Sequence, residues 1–175
     1  MDTSIFYMDE KYTLASFFTV VLAFMTGVNY LKTKMFFKKI NLNFILGTFF
    51  IALSLDEFFE IHEYANTLVK QALVGEGILG QLSNLSWLFP LSGVILLVLV
   101  MFIVRIVKEE NLKTKKLMVY GTTSYFFVLV FELVGSLTYG HDFYVYSVAV
   151  EEGLEMIGTA FFLLASLPEK YINTK

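Results

Sequence analysis

The chain contains no cysteine. That excludes disulfides, thiolate-held zinc, iron–sulfur clusters and covalently attached haem, and it leaves oxygen and imidazole as the strong metal donors. Histidine is scarce too, with only His62 and His141, and nothing around that pair supports a bis-histidine haem site. Basic stripes interleaved with aromatics are missing. The lysines fall in short clusters between apolar runs, which gives nucleic acid no footprint. No linker, low-complexity tract or internal repeat breaks the sequence, so residues 1–175 read as a single domain. The net charge of −3 is small and selects no class of partner. The leader MDTSIFYMDEK is acidic and no small-residue cleavage site ends the first apolar run, so that run reads as a retained span rather than a signal peptide.

Apolar residues are abundant. They make up 57% of the chain, with a mean hydropathy of +0.67, against about 45–50% in soluble domains. A helix needs about 20 apolar residues to cross a hydrocarbon core about 30 Å thick. Five runs meet that length: Tyr12–Leu31, Leu42–Ala65, Trp87–Val107, Leu117–Tyr139 and Tyr144–Leu167. The expected fold is therefore all-α, an integral membrane helical bundle of five transmembrane helices. Lys32, Lys34, Lys38 and Lys39 follow the first run, Arg105, Lys108, Lys113, Lys115 and Lys116 follow the third, and Lys170 and Lys175 follow the fifth. Only Lys11 and Lys70 fall on the other side, so the positive-inside rule sets the N-terminus outside and the C-terminus inside. Such a chain is a multi-pass protein of the cell (inner) membrane, with the bilayer as its first partner. The external connector Asn66–Ser86 reads as a short amphipathic helix and a glycine turn lying at the interface.

Acidic residues interrupt three of these runs. Asp56, Glu57, Glu60 and Glu63 lie in the second, Glu132 in the fourth, and Glu151, Glu152 and Glu155 in the fifth. A charge at bilayer depth costs several kcal/mol, so ionisable groups there mark function by default. At 1.5 Å per residue, Asp56 and Glu132 each lie about 20 Å from the inner end of their runs, and Glu151 and Glu155 about 10–16 Å below the outer surface. The depths coincide in the outer half of the membrane. On an unbroken helix Asp56, Glu60 and Glu63 form one stripe, with Glu57 at its edge and His62 on a neighbouring face. Lipid cannot solvate such stripes, so they face the bundle interior or an aqueous cavity.

No lysine or arginine accompanies these eight carboxylates. Two like charges about 5 Å apart repel by about 3 kcal/mol even at an effective dielectric of 20. Either some carboxylates keep their protons or bound cations offset them. Bundle proteins with carboxylate-lined interiors use the second solution, often with two divalent ions. The leading expectation is a metal site near the external face, a di-metal centre for redox or hydrolytic chemistry on a small lipid-soluble or external substrate. Its ligands would be Asp56, Glu60, Glu63, Glu132, Glu151 and Glu155, with His62 as the nitrogen donor. Glu57 and Glu152 would act as catalytic bases or proton relays. Iron, manganese or zinc suits this donor set, and calcium is a further candidate. The soluble di-iron pattern Glu-x-x-His is not met, because Phe59 stands three residues before His62.

Two other classes use the same residues. A cation or proton channel or transporter, built as a homo-oligomer, would use the acids as a selectivity site. An accessory subunit would use them to receive a basic partner helix. No acidic group marks the inner half of any run, which argues against a path through a single protomer. Beside the acids, His141 and Asp142 read as a solvated turn or as a lid over the site, and Tyr64, Tyr139, Tyr144 and Tyr146 as an interfacial aromatic belt.

The segment L-D-E-F-F-E-I-H-E at 55–63, the lone Glu132 followed by Leu-Val-Gly, and V-E-E-G-L-E-M-I-G at 150–158 together resemble a family of small, uncharacterised polytopic bacterial membrane proteins. The resemblance covers the second to fifth runs. It implies a fold and brings no activity with it.

Overall fold

A computed structural model describes residues 14–32, 42–62, 64–65, 68, 88–138 and 143–168. Among these residues the structure is all-α, with five helices: α1 (Leu14–Lys32), α2 (Leu42–Phe59), α3 (Leu88–Lys108), α4 (Leu112–Thr138) and α5 (Phe143–Ser166). Three of them, α1, α2 and α4 over Leu112–Gly135, are long and apolar enough to cross a membrane. The bundle wears its apolar side chains outward. Phe17, Phe24, Leu96, Leu97, Phe126 and Phe143 are all exposed, in a density that a water-soluble surface does not carry.

Three helices, α1, α3 and α5, begin and end within two residues of where hydropathy places them. α4 starts five residues earlier than the apolar run, because Asn111 caps it. The Asn111 Oδ1 accepts hydrogen bonds from the Lys113 and Thr114 amides at 3.0 and 3.2 Å, the geometry of an N-cap. The cap lets a basic first turn, which hydropathy penalises, join the helix. α2 departs in the other direction. It stops at Phe59 rather than continuing to Ala65 as one helix, because Glu60 takes a left-handed backbone with φ of 52°. Helical turns resume at Ile61, with the Tyr64 amide donating to the Glu60 carbonyl at 3.0 Å.

Packing is closest between α4 and α5, then between α1 and α2, then between α1 and α5; α3 leans more lightly on α4 and α2. Glycines set the α1–α2 approach. A Cβ on Gly27 would stand 2.8 Å from the Gly47 carbonyl oxygen, and one on Gly47 would stand 2.7 Å from Leu31 Cγ. Small residues let helix backbones meet closely where lipid supplies no hydrophobic drive between them. Hydroxyls then bind across the gaps. Ser54 Oγ donates to the Val20 carbonyl at 3.0 Å between α2 and α1, and Asn29 Nδ2 donates to Ser166 Oγ at 3.2 Å between α1 and α5.

The core between the helices is aromatic. Phe50 of α2 and Phe162 of α5 are fully buried, with ring centroids 5.2 Å apart. Phe102 of α3 stacks on Phe162 at 4.6 Å and meets Phe50 edge-on at 5.9 Å. Tyr30 stacks on Phe50 at 6.0 Å, on the lysine-bearing side. Aromatic pairs of this kind contribute about 0.5–1.5 kcal/mol each beyond the area they bury. Among the described residues, every lysine and arginine lies at one end of the bundle: Lys32, Arg105, Lys108, Lys113, Lys115 and Lys116.

Candidate functional site

The acidic residues of α2, α4 and α5 gather at the other end. α2 carries Asp56 and Glu57 in its last turn, α4 carries Glu132, and α5 carries Glu151, Glu152 and Glu155. Glu151 and Glu155 lie four residues apart and share a face. Glu155 is within electrostatic reach of Glu57, Glu152, Glu151 and Glu132. Glu151 is within reach of Glu132, Glu152, His62 and Glu57. Five carboxylates and one imidazole from three parts of the chain thus share one field. All six residues are partly exposed, although Glu152 buries one carboxylate oxygen.

Asp56 enters through His62. Its Oδ1 accepts the His62 backbone amide at 3.0 Å, and its Oδ2 lies 2.9 Å from His62 Nδ1. This double contact requires the chain to turn back after Phe59, and the left-handed Glu60 makes that turn. Non-glycine residues adopt such a backbone at a cost of about 1–2 kcal/mol, and strain of this kind collects where surrounding contacts hold a site in place. The single stripe expected of Asp56 and Glu60 on one continuous helix is therefore corrected. Glu60 serves the backbone turn, and His62, expected on a neighbouring face, folds back against Asp56. The carboxylate fixes the imidazole ring through Nδ1. A carboxylate behind the imidazole is the arrangement that orients histidine ligands.

Tyr125 and Thr159, to which the acidic pattern gave no role, form the floor of the cluster. Tyr125 donates to Thr159 Oγ1 at 2.7 Å, while the Thr159 hydroxyl donates to the Glu155 carbonyl at 2.8 Å. Tyr125 also lies within electrostatic reach of Glu155 and Glu57. Its ring meets Phe162 with centroids 6.0 Å apart, so the polar cluster rests directly on the aromatic core. The signal was present in the spacing. Phe50 precedes Glu57, Tyr125 precedes Glu132 and Phe162 follows Glu155, each by seven residues. Seven residues are nearly two whole turns, so each aromatic shares a helix face with its carboxylate, about 10 Å away along the axis.

Among the described residues, no three of the histidine and acidic side chains are arranged to hold a metal ion as they stand. Closing round an ion would take rotation of the glutamates, which their partial exposure permits. Glu63, His141, Asp142 and Tyr139 lie outside the described residues, as does the 66–86 connector apart from Leu68. Tyr64 and Tyr146 are strongly exposed, as an aromatic belt requires.

A family model described as "Domain of unknown function (DUF8692)" matches residues 6–167, and the chain belongs to that family. No curated protein and no solved structure matches the chain.

Proposed function

We propose that this member of the DUF8692 family is a multi-pass protein of the cell membrane that binds divalent cations in a carboxylate cup near its outer face. Five spans, with the N-terminus outside and the C-terminus inside, are the arrangement that the helix lengths support. α3 and α5 have 21 and 24 residues, enough to reach across about 30 Å of hydrocarbon. The three carboxylates of α5 lower its hydropathy without shortening it. Gathering of the basic residues at one end supports the orientation, since that end would face the cytoplasm.

One observation carries the cation reading. Glu155 shares its surroundings with Glu57, Glu132, Glu151 and Glu152, while the described lysines and arginine stand at the far end of the bundle. Among the described residues no lysine or arginine offsets these carboxylates, and metal ions or protons are the counter-charge this reading assigns to them. The donors are oxygens with one oriented imidazole, a set that suits manganese, iron or zinc and also accommodates calcium. Glu132, Glu151, Glu155 and His62 would supply the principal ligands, Asp56 would hold His62, and Glu57 and Glu152 would serve as bases beside the ion. A bound ion would polarise an oxygen of a small substrate entering from the outer side. The aromatic layer beneath the cup weighs against conduction through one protomer.

Elemental analysis of protein purified without added metal tests this reading. A stoichiometric transition metal is expected in the wild type and lost in Glu155→Gln with helix content and melting unchanged. Wild-type protein that carries no metal, and takes up none when incubated with Mn²⁺, Fe²⁺ or Zn²⁺, overturns it.

A further inference from the structure

At the lysine-rich end, where α1, α3 and α5 end and α2 and α4 begin, the helices surround a cavity of about 310 Å³. That is room for about ten water molecules at ~30 Å³ each, and it falls at the lower end of ordinary ligand sites, about 300–1,000 Å³. Its lining combines polar Tyr30, Asn43, Arg105, Glu109, Thr114 and Ser166 with apolar Ala165, Leu167 and Pro168. The Tyr30, Thr114 and Ser166 side chains are buried. A recess this polar at the end of a membrane bundle suits a ligand with a polar head better than a lipid tail.

Arg105 is held in place rather than left to swing. Its Nη1 pairs with the Glu109 carboxylate one turn on, and Glu109 is itself fixed by accepting the Asn111 amide at 3.0 Å. A guanidinium offers five donors in a rigid fork, so one ion pair does not exhaust it. Asn43 and Thr114 stand in the first turns of α2 and α4, where the helix dipole is positive. Lys32, Lys108 and Lys113 each lie within a turn of a lining residue, and together with Arg105 they outnumber Glu109 and Glu110, which tips the local balance towards anions. Among the described residues, no lysine or arginine stands at the acidic end.

We infer that this cavity is a binding site for a phosphate ester, with Arg105 as its main contact and the apolar lining residues against the carbon skeleton of the ester. An anionic phospholipid of the inner leaflet is the source that fits the location, since juxtamembrane basic groups attract such headgroups. The inference rests on the membrane reading proposed above and is independent of metal at the outer cup, so either one can fail alone.

Native mass spectrometry of the detergent-solubilised chain, offered equimolar phosphatidylglycerol and phosphatidylcholine, gives the test. Phosphatidylglycerol should be retained in preference, and Arg105→Gln should weaken its retention by about tenfold, the worth of one charge-assisted hydrogen bond. Lys108→Gln/Lys113→Gln, at exposed positions where folding is not at risk, should weaken it in the same direction. A parallel arm offers sn-glycerol 1-phosphate alone. If that ester binds as tightly as the lipid and is lost in Arg105→Gln, the phosphate site stands and its source is soluble. Equal retention of both lipids without response to glycerol phosphate, or binding that both sets of substitutions leave unchanged, overturns the inference.

Discussion

Replacing Gly27 with alanine probes the contact that sets α2 in place. The new Cβ would stand 2.8 Å from the Gly47 carbonyl oxygen and 2.8 Å from Ile51 Cγ1, whereas ordinary contact begins near 3.4 Å. A side-chain terminus could swing away, but a backbone carbonyl cannot, so α1 and α2 must part by about 0.6 Å. A gap of 0.5–1 Å forfeits about a quarter to a half of the dispersion well at each contact it opens. The Ser54–Val20 hydrogen bond, at 3.0 Å, would stretch to the edge of useful geometry. The sum is an overpacking cost of about 1–3 kcal/mol. Gly47→Ala would strike the same crossing from the other side, with its Cβ 3.0 Å from the Gly27 carbonyl oxygen. Once one substitution has parted the helices, the second finds room. The double variant should therefore cost less than the two singles together, by at least about 0.5 kcal/mol. Unfolding titrations in mixed micelles followed by circular dichroism measure all three. Gly93→Ala is the control, because its Cβ would meet nothing within 4 Å; it should be neutral or gain up to about 1 kcal/mol of helix propensity. Strict additivity of Gly27→Ala and Gly47→Ala, or the same small effect at Gly27 as at Gly93, would refute this account of the interface.

Other substitutions test other parts of the structure. Phe162→Ala removes the ring that Phe50, Phe102 and Tyr125 share and should cost about 3–5 kcal/mol in the same titration; a loss under 1 kcal/mol would show that the aromatic layer is not packed as described. Thr19 buries its hydroxyl with no hydrogen-bond partner among the described residues, so Thr19→Val should stabilise by about 1 kcal/mol, and destabilisation of that size would reveal a missing partner. Glu60→Gly relieves a left-handed glutamate and should leave stability equal or raise it by about 1 kcal/mol; a marked fall would mean that the glutamate side chain, not the turn, carries the position. Asp56→Asn keeps the shape of the His62 contact and removes its charge, so metal uptake should fall about 10- to 100-fold, while unchanged uptake would remove Asp56 from the site.

Much of the architecture could be read from the residues. Leu14–Lys32, Leu88–Lys108 and Phe143–Ser166 fall within two residues of the apolar runs, because an end in polar sequence leaves few alternatives. The convergence of Glu57, Glu132, Glu151 and Glu155 follows from depth, which depends only on the rise per residue. The break at Glu60 was hidden for a physical reason. No glycine or proline marks it, and its cause is a side chain, Asp56, capturing an amide six residues on. The start of α4 was hidden because capping by Asn111 is a hydrogen-bond effect to which hydropathy is blind. Tyr125 was passed over because a tyrosine among apolar residues looks like packing until its hydroxyl is placed beside Thr159.

The ring layer of Phe50, Phe102 and Phe162 has a consequence for energetics across a bilayer. Under the topology proposed above, a solute that reaches the glutamates would leave by the mouth it used, and the cup would sample one compartment alone. Most of the transmembrane voltage would then drop across the aromatic seal and the helix ends below it. Occupancy should follow the external ion concentration and respond only weakly to membrane potential.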